Sequence, residues 1–313
     1  MFSEVLVGVD GQFGGRDAIA LARQMTAEDG RLVLAHVYPL RGDPVHRDYN
    51  DYEASEYAKA RDLLLDARDE AGVEAELRWS ACTSPGRGLH ELAESLGSDL
   101  LVVGSSVRGL LGRVLVGDDT RAALNGAPCA VAIAPAGYSR RSPAVMREVG
   151  VGYDGSPESE RALELARMVA AEHHTRLSAF RVISTPAYLY LGHLGTAAPV
   201  ELASAHDEVD DARERIAALG GVEPHAAYGD AAEELTLYSA SLDLLVVGSR
   251  GYGPLGRLVY GSVAQRLARK ARCPLLVLTR SARTGLGELV QATVEQREHV
   301  GGDLLDGAVS SHG

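Results

Sequence analysis

The sequence predicts an α/β fold: two tandem, doubly wound parallel sheets of five strands each, with helices on both faces. Three observations point to it. Short, nearly unbroken apolar runs such as VLVGV, LLVVG and LLVL read as strands buried on both sides, the habit of parallel sheets. Amphipathic stretches alternate with them, which supplies covering helices. And the chain repeats itself. VLVGVDG at 5–11 matches VGVGYDG at 149–155, DLLVVGSS at 99–106 matches DLLVVGSR at 243–250, GRVLVG at 112–117 matches GRLVYG at 256–261, and Cys129 matches Cys273, all at one offset of 144 residues. That period is too long for a solenoid unit and close to ordinary domain size, so it marks a duplication.

The elements follow in order. EVLVGVD opens the first repeat as a strand. RDAIALARQMTAE (16–28) then puts Ala18, Leu21, Ala22 and Met25 on one helical face. RLVLAHVY is the second strand, and the loop PLRGDPVHRDYND leads to a helix near 52–71. EAELRWSA is the third strand, GLHELAESLG a helix, and SDLLVVGS the fourth strand. A glycine-rich loop precedes a helix near 118–125, and PCAVAIAP closes the repeat. The second repeat keeps this order through RLSAFRVIS, a helix near 201–219, VEPHAAYG, DLLVVGS and CPLLVLTR. The expected units are 1–138 and 147–281, joined by the polar, proline-containing linker GYSRRSPAVMRE. The tail, 282–313, lies outside the repeat and reads as loosely ordered, with at most a short helix over GELVQATVEQREHV. With right-handed crossovers, such sheets bind ligands at the carboxyl ends of the strands, at the point where strand order reverses.

Bulk properties narrow the function. A net charge of −12 with no basic stripe argues against nucleic acid. No apolar run nears the roughly 20 residues that span a bilayer, and MFSEVLVGVDG reads as a strand rather than a leader, so a cytoplasmic protein is expected. Cys82, Cys129 and Cys273 are far apart and fit neither a disulfide framework nor a metal site.

The stretch VVGSRGYGPLGRLVYGS, 246–262, carries the chemistry. Gly251, Gly253 and Gly256 satisfy GxGxxG, yet the dinucleotide fingerprint belongs on the first strand of its unit, with an acidic residue at the end of the next strand. Here the next strand, LLVLTR, has none, and the first repeat lacks the pattern. No GK[ST] occurs, which removes a Walker A loop. A different spacing remains: Gly248, two residues, Gly251, nine residues, Gly261, then Ser262. Bare backbone at the glycines lets ribose and phosphates approach closely. Gly261-Ser262 opens a helix, whose free amides and dipole favour anions.

This glycine-serine string, with the strand-ending aspartate, the DLLVVGSRG block and the closing CPLLVL strand, closely resembles the nucleotide-binding pattern of the universal stress protein family, of the tandem, ATP-binding type. The resemblance runs from residue 1 to about 280 and implies the adenine-nucleotide alpha-hydrolase-like fold. It implies that Asp154 lies beside the nucleoside, that Val182 meets the adenine, and that Gly248, Gly251, Gly261, Ser262 and Val263 hold ribose and phosphates. It implies ATP as ligand, with no magnesium set indicated by the sequence. It also implies pairing of domains through the last strand of each, here an intrachain pseudo-dimer, and leaves a homodimer of two chains open.

The first repeat departs from the pattern. Asp10, Val37, Gly104 and Gly117 remain, but Val107 stands where the second glycine belongs and Asp118 where the serine belongs. A carboxylate suits a helix N-terminus by itself. Against a phosphate about 4 Å away it costs roughly 1 kcal/mol in water and more where partly buried. The first repeat is therefore expected to hold a weaker site, or none. No metal, placed base or catalytic grouping is evident, so the expected function is an ATP-binding regulatory module of the stress response, with slow hydrolysis left open. The alternative is a nucleotide-activating enzyme of related architecture, an adenylyl transferase or PP-loop ATPase. Those carry HIGH-like or SGGxDS strings after the first strand, whereas this chain has VDGQFGG and YDGSPES.

Overall fold

The structure, a computed structural model, describes residues 1–39, 48–105, 126–141, 145–184, 199–249 and 262–279. The first repeat contributes β1 (Phe2–Gly8), β2 (Thr26–Pro39), β3 (Glu76–Cys82), β4 (Leu100–Gly104) and β5 (Ala130–Ala134). The second contributes β6 (Glu148–Gly152), β7 (Arg176–Ser184), β8 (Glu223–Gly229), β9 (Leu244–Gly248) and β10 (Leu275–Leu278). The helices are α1 (Phe13–Met25), α2 (Asp48–Ala71), α3 (Pro85–Leu96), α4 (Tyr138–Arg141), α5 (Pro157–Glu172), α6 (Pro199–Ala217), α7 (Ala231–Tyr238) and α8 (Ser262–Lys270). The helix expected near 118–125 and the tail from 282 lie outside the described residues.

The two five-stranded sheets join into one, in the order β3-β2-β1-β4-β5-β10-β9-β6-β7-β8. Within each repeat the strands are parallel, and β5 meets β10 antiparallel, with Ile133 opposite Leu275 and Val131 opposite Val277. The closing strands are too apolar to stand as edges, and here each covers the other. Thr279 adds a hydroxyl bond to Cys129 O across the seam at 3.0 Å.

Alternate residues of each strand feed two apolar layers that run through both repeats. One lies under α1, α2, α5 and α6 and unites Val5, Leu34 and Leu100 with Val149, Val246 and Leu276. The other lies under α3, α7 and α8 and unites Leu6, Leu101 and Ile133 with Leu245, Leu267 and Val277.

Two local features differ from the sequence expectation. The first helix ends at Met25, not near 28, because Thr26 turns both its N–H and its hydroxyl back to Ala22 O, the latter at 2.7 Å. The register of β1 on β2 then jumps from Phe2 opposite Thr26 to Glu4 opposite Arg31. Gly30 sits in that irregularity, where a Cβ would meet Phe2 O at 2.9 Å. The linker, moreover, is docked. Asp17, only 2% exposed, accepts from Gly137 N at 2.6 Å, Ser139 N at 2.8 Å and Ser139 Oγ at 2.6 Å. Tyr138 is buried and donates to Gln24 Oε1 at 2.8 Å, while His173 of the second repeat donates to Gln24 O at 3.1 Å. The aspartate that begins each DLLVVG block has a matching structural task. Asp99 accepts from Ser3 N and Glu4 N, and Asp243 from Arg147 N and Glu148 N, so each pins the start of its repeat's first strand.

Candidate functional site

Strand order reverses between β1 and β4 and again between β6 and β9, which places a crevice at the carboxyl edge of each repeat. Register does the rest. Gly152 lies opposite Phe180, so Asp154 comes level with Val182 on β7; Val151 lies opposite Val246, so Asp154 stands one step beyond Gly248 on β9. In the first repeat Gly8 lies opposite Ala35 and Val7 opposite Val102, which puts Asp10 level with Val37 and one step beyond Gly104. Gly117, Gly251 and Gly261, with Val107 and Asp118, lie outside the described residues. Ser262 opens α8, and Val263 is partly buried against the layer under α3, α7 and α8.

Each aspartate is followed by a glycine in the left-handed region, Gly11 at φ 72° and Gly155 at φ 80°. The carboxylate then accepts the amide two residues on: Asp10 Oδ1 from Gln12 N at 2.9 Å, Asp154 Oδ1 from Ser156 N at 3.0 Å. Beyond this turn the repeats diverge. In the second, Ser156 caps α5 by accepting from Ser159 N at 3.3 Å, ahead of Pro157 at the first helical position. In the first, Gln12 makes no side-chain cap, and Asp10 Oδ1 takes the amide of Gly15 instead, at 3.2 Å. Asp10 Oδ1 thus accepts an amide in the first turn of α1, where Ser156 Oγ does so in α5. The string Ser156-Pro157 was a legible start signal that the sequence reading did not use.

The strand-end glycines also have a structural task. A Cβ on Gly104 would lie 2.0 Å from Gly14 O in the first turn of α1, and one on Gly248 would lie 2.7 Å from Glu158 O in the first turn of α5. Both positions are bare because a helix backbone sits against them. Helix packing accounts for these two glycines.

The second repeat holds α8 by a contact the sequence reading missed. Asp230 caps α7 through Oδ1, accepting from Ala232 N at 3.1 Å and Glu233 N at 3.0 Å. Its Oδ2 accepts from Arg266 at 2.8 Å, and Glu233 lies 3.4 Å from the same guanidinium. The Arg266 guanidinium, helped by the two amides, holds the Asp230 carboxyl below the usual carboxylate range. Because α7 starts just past the carboxyl end of β8, this contact links α8, one turn in, to the edge that carries Asp154.

Other candidate groups are otherwise engaged. His36 Nδ1 lies 2.7 Å from Val9 O. The three cysteines are free and buried, and burial pushes the Cys129 and Cys273 thiols up to about 12, so neither is a nucleophile at neutral pH. Among the described residues, no three His, Cys, Asp or Glu side chains converge as a metal site, and no helix is long and apolar enough to cross a membrane.

Comparison with known proteins agrees with this architecture. The sequence model of the universal stress protein family matches residues 1–135 and again 146–279. A universal stress protein of Mycobacterium tuberculosis H37Rv is 28% identical over 293 residues, 88% of this chain and 97% of that one. One from Thermus aquaticus is 30% identical over 140 residues, 43% of this chain and 99% of its own length. The crystal structure of a universal stress protein from Archaeoglobus fulgidus superposes with a TM-score of 0.62 at 18% identity, covering 88% of this chain and 98% of that one, and shares the fold. The twice-matched family model and the near full-length mycobacterial relative agree: this chain belongs to the universal stress protein family.

Proposed function

We propose that the chain is a regulatory module of the stress response, working in the cytoplasm, that binds ATP at the carboxyl edge of its second repeat. The units are taken as 1–138 and 147–281. What supports the reading is the register that draws Asp154, Val182 and Gly248 to the β6/β9 reversal, with α8 linked, one turn in, to the same edge by Asp230 and Arg266. That edge offers each chemistry a nucleoside triphosphate needs. A carboxylate at Asp154 suits ribose hydroxyls, the apolar Val182 suits the base, and the helix start at Ser262 and Val263, behind Gly251 and Gly261, suits phosphates. No magnesium ligand is assigned.

The first repeat is proposed as the weaker site because Asp118 stands where the second repeat has Ser262 and Val107 where it has Gly251. Since β5 and β10 satisfy each other within the chain, a homodimer of two chains would have to form through other surfaces. Titration of ATP against the parent chain and the Ser262→Asp and Asp118→Ser variants tests the proposal. Ser262→Asp is expected to lose affinity by tenfold or more, since about 1.4 kcal/mol of repulsion suffices, and Asp118→Ser to gain binding in the first repeat. Equal occupancy of both sites in the parent would refute it. Following bound nucleotide for hours in the same samples separates storage from slow hydrolysis.

A further inference from the structure

We infer that Arg266 is a positioning residue for the phosphate end of this site, acting through Asp230 and Glu233 rather than by touching the ligand; the inference rests on the nucleotide reading above. Arg266 lies one turn into α8, four residues after Ser262. Its guanidinium reaches Asp230 Oδ2 at 2.8 Å and Glu233 Oε1 at 3.4 Å, so one cation spans the capping carboxylate of α7 and one in its first turn. Asp230 is itself fixed, because its other oxygen accepts two α7 amides. The buried face of α8, Ala264, Leu267 and Ala268, sets its depth against the sheet. Apolar contacts of this kind leave sliding along the axis loosely determined, whereas a fork held by two acceptors does not.

The sequence of the first repeat does not carry the same pair. Its corresponding cap, Ser84, makes no side-chain cap bond to α3, and Ala122 stands 144 residues before Arg266. Two features therefore part company with the second repeat together: the serine that would meet phosphate, replaced by Asp118, and the arginine that would hold its helix in place. An isolated surface pair of this exposure contributes little to stability. A role in aligning the phosphate-binding helix gives the pair a purpose that stability does not.

The test compares ATP with adenosine by calorimetric titration of the parent, Arg266→Ala, Arg266→Lys, Asp230→Asn and the Arg266→Ala/Asp230→Asn double variant. Asparagine keeps the cap while removing the ion pair. Arg266→Ala is expected to weaken ATP about fivefold and leave adenosine unchanged, the size of a typical coupling between contacting groups. Arg266→Lys should recover part of the loss, and the double variant should be no worse than Arg266→Ala. In ligand-free protein, amides 263–266 should exchange faster in Arg266→Ala. ATP bound by Arg266→Ala as tightly as by the parent would overturn the brace and leave the nucleotide reading standing. So would equal losses for ATP and adenosine, or unchanged amide exchange. A parent chain that binds neither ligand would overturn both.

Discussion

Gly104→Ala should destabilise the protein in the complete absence of nucleotide. The new Cβ would sit 2.0 Å from Gly14 O and 2.5 Å from Gly14 C, both rigid backbone atoms in the first turn of α1. Ordinary van der Waals contact begins near 3.4 Å, so the start of α1 must retreat by more than an ångström. Overpacking of this kind costs about 1–3 kcal/mol, and a backbone obstacle puts Gly104 at the upper end. Alanine also reduces the freedom of the unfolded chain, which returns about 0.4–1 kcal/mol. The net loss is about 2 kcal/mol or more. Gly248→Ala faces a looser contact, 2.7 Å to Glu158 O, and should lose about 1 kcal/mol. Urea denaturation of ligand-free protein, followed by circular dichroism, measures both. Parent-like stability in both variants would show that helix packing does not require these glycines and would undo the explanation given for them.

Other outcomes follow from the same geometry. Asp17→Ala strips three donors of their acceptor, two of them backbone amides, and should cost about 3–5 kcal/mol; Arg161→Ala at the equivalent place in the second repeat should cost under about 0.5 kcal/mol in the same urea series. Asp10→Ala should destabilise by about 1–2 kcal/mol, because it uncaps α1, whereas Asp154→Ala should show a smaller stability loss and a clear loss of ATP in titration, since Ser156 caps α5. Stability should also fall as the medium is made alkaline. The Cys129 and Cys273 thiols stay protonated to about pH 12 when folded but ionise near 8.5 when unfolded, so the unfolded chain binds fewer protons above that pH. The stabilisation is complete below about pH 8.5 and declines by up to about 2.7 kcal/mol per pH unit above it; Cys→Ala at both sites should flatten that slope.

The sequence carried the fold because its signals are periodic and repeated. VLVGV, LLVVG and LLVL became β1, β4 and β10, and a duplication at one offset fixed where each counterpart lies. Register then brought Asp154, Val182 and Gly248 together with no further information. What was not legible depends on distant partners. Nothing near Asp17 announces that Gly137 and Ser139, at the start of the polar linker, will bind it. Arg266 carries no local signal of its partners because Asp230 and Glu233 are more than thirty residues away. The glycines misled in a different way. An absent side chain records that something comes close, not whether the neighbour is a ligand or a helix, and for Gly104 and Gly248 the neighbour is the first turn of α1 and of α5.

The most direct measurement is the number of ATP molecules bound per chain by the unmodified protein, by equilibrium dialysis at saturating nucleotide. One tight site per chain, lost on Ser262→Asp and kept on Asp10→Ala, with the first repeat filling only at much higher nucleotide or not at all, is the predicted result. Two equal sites, or none for any adenine nucleotide, would contradict a single working cradle in the second repeat.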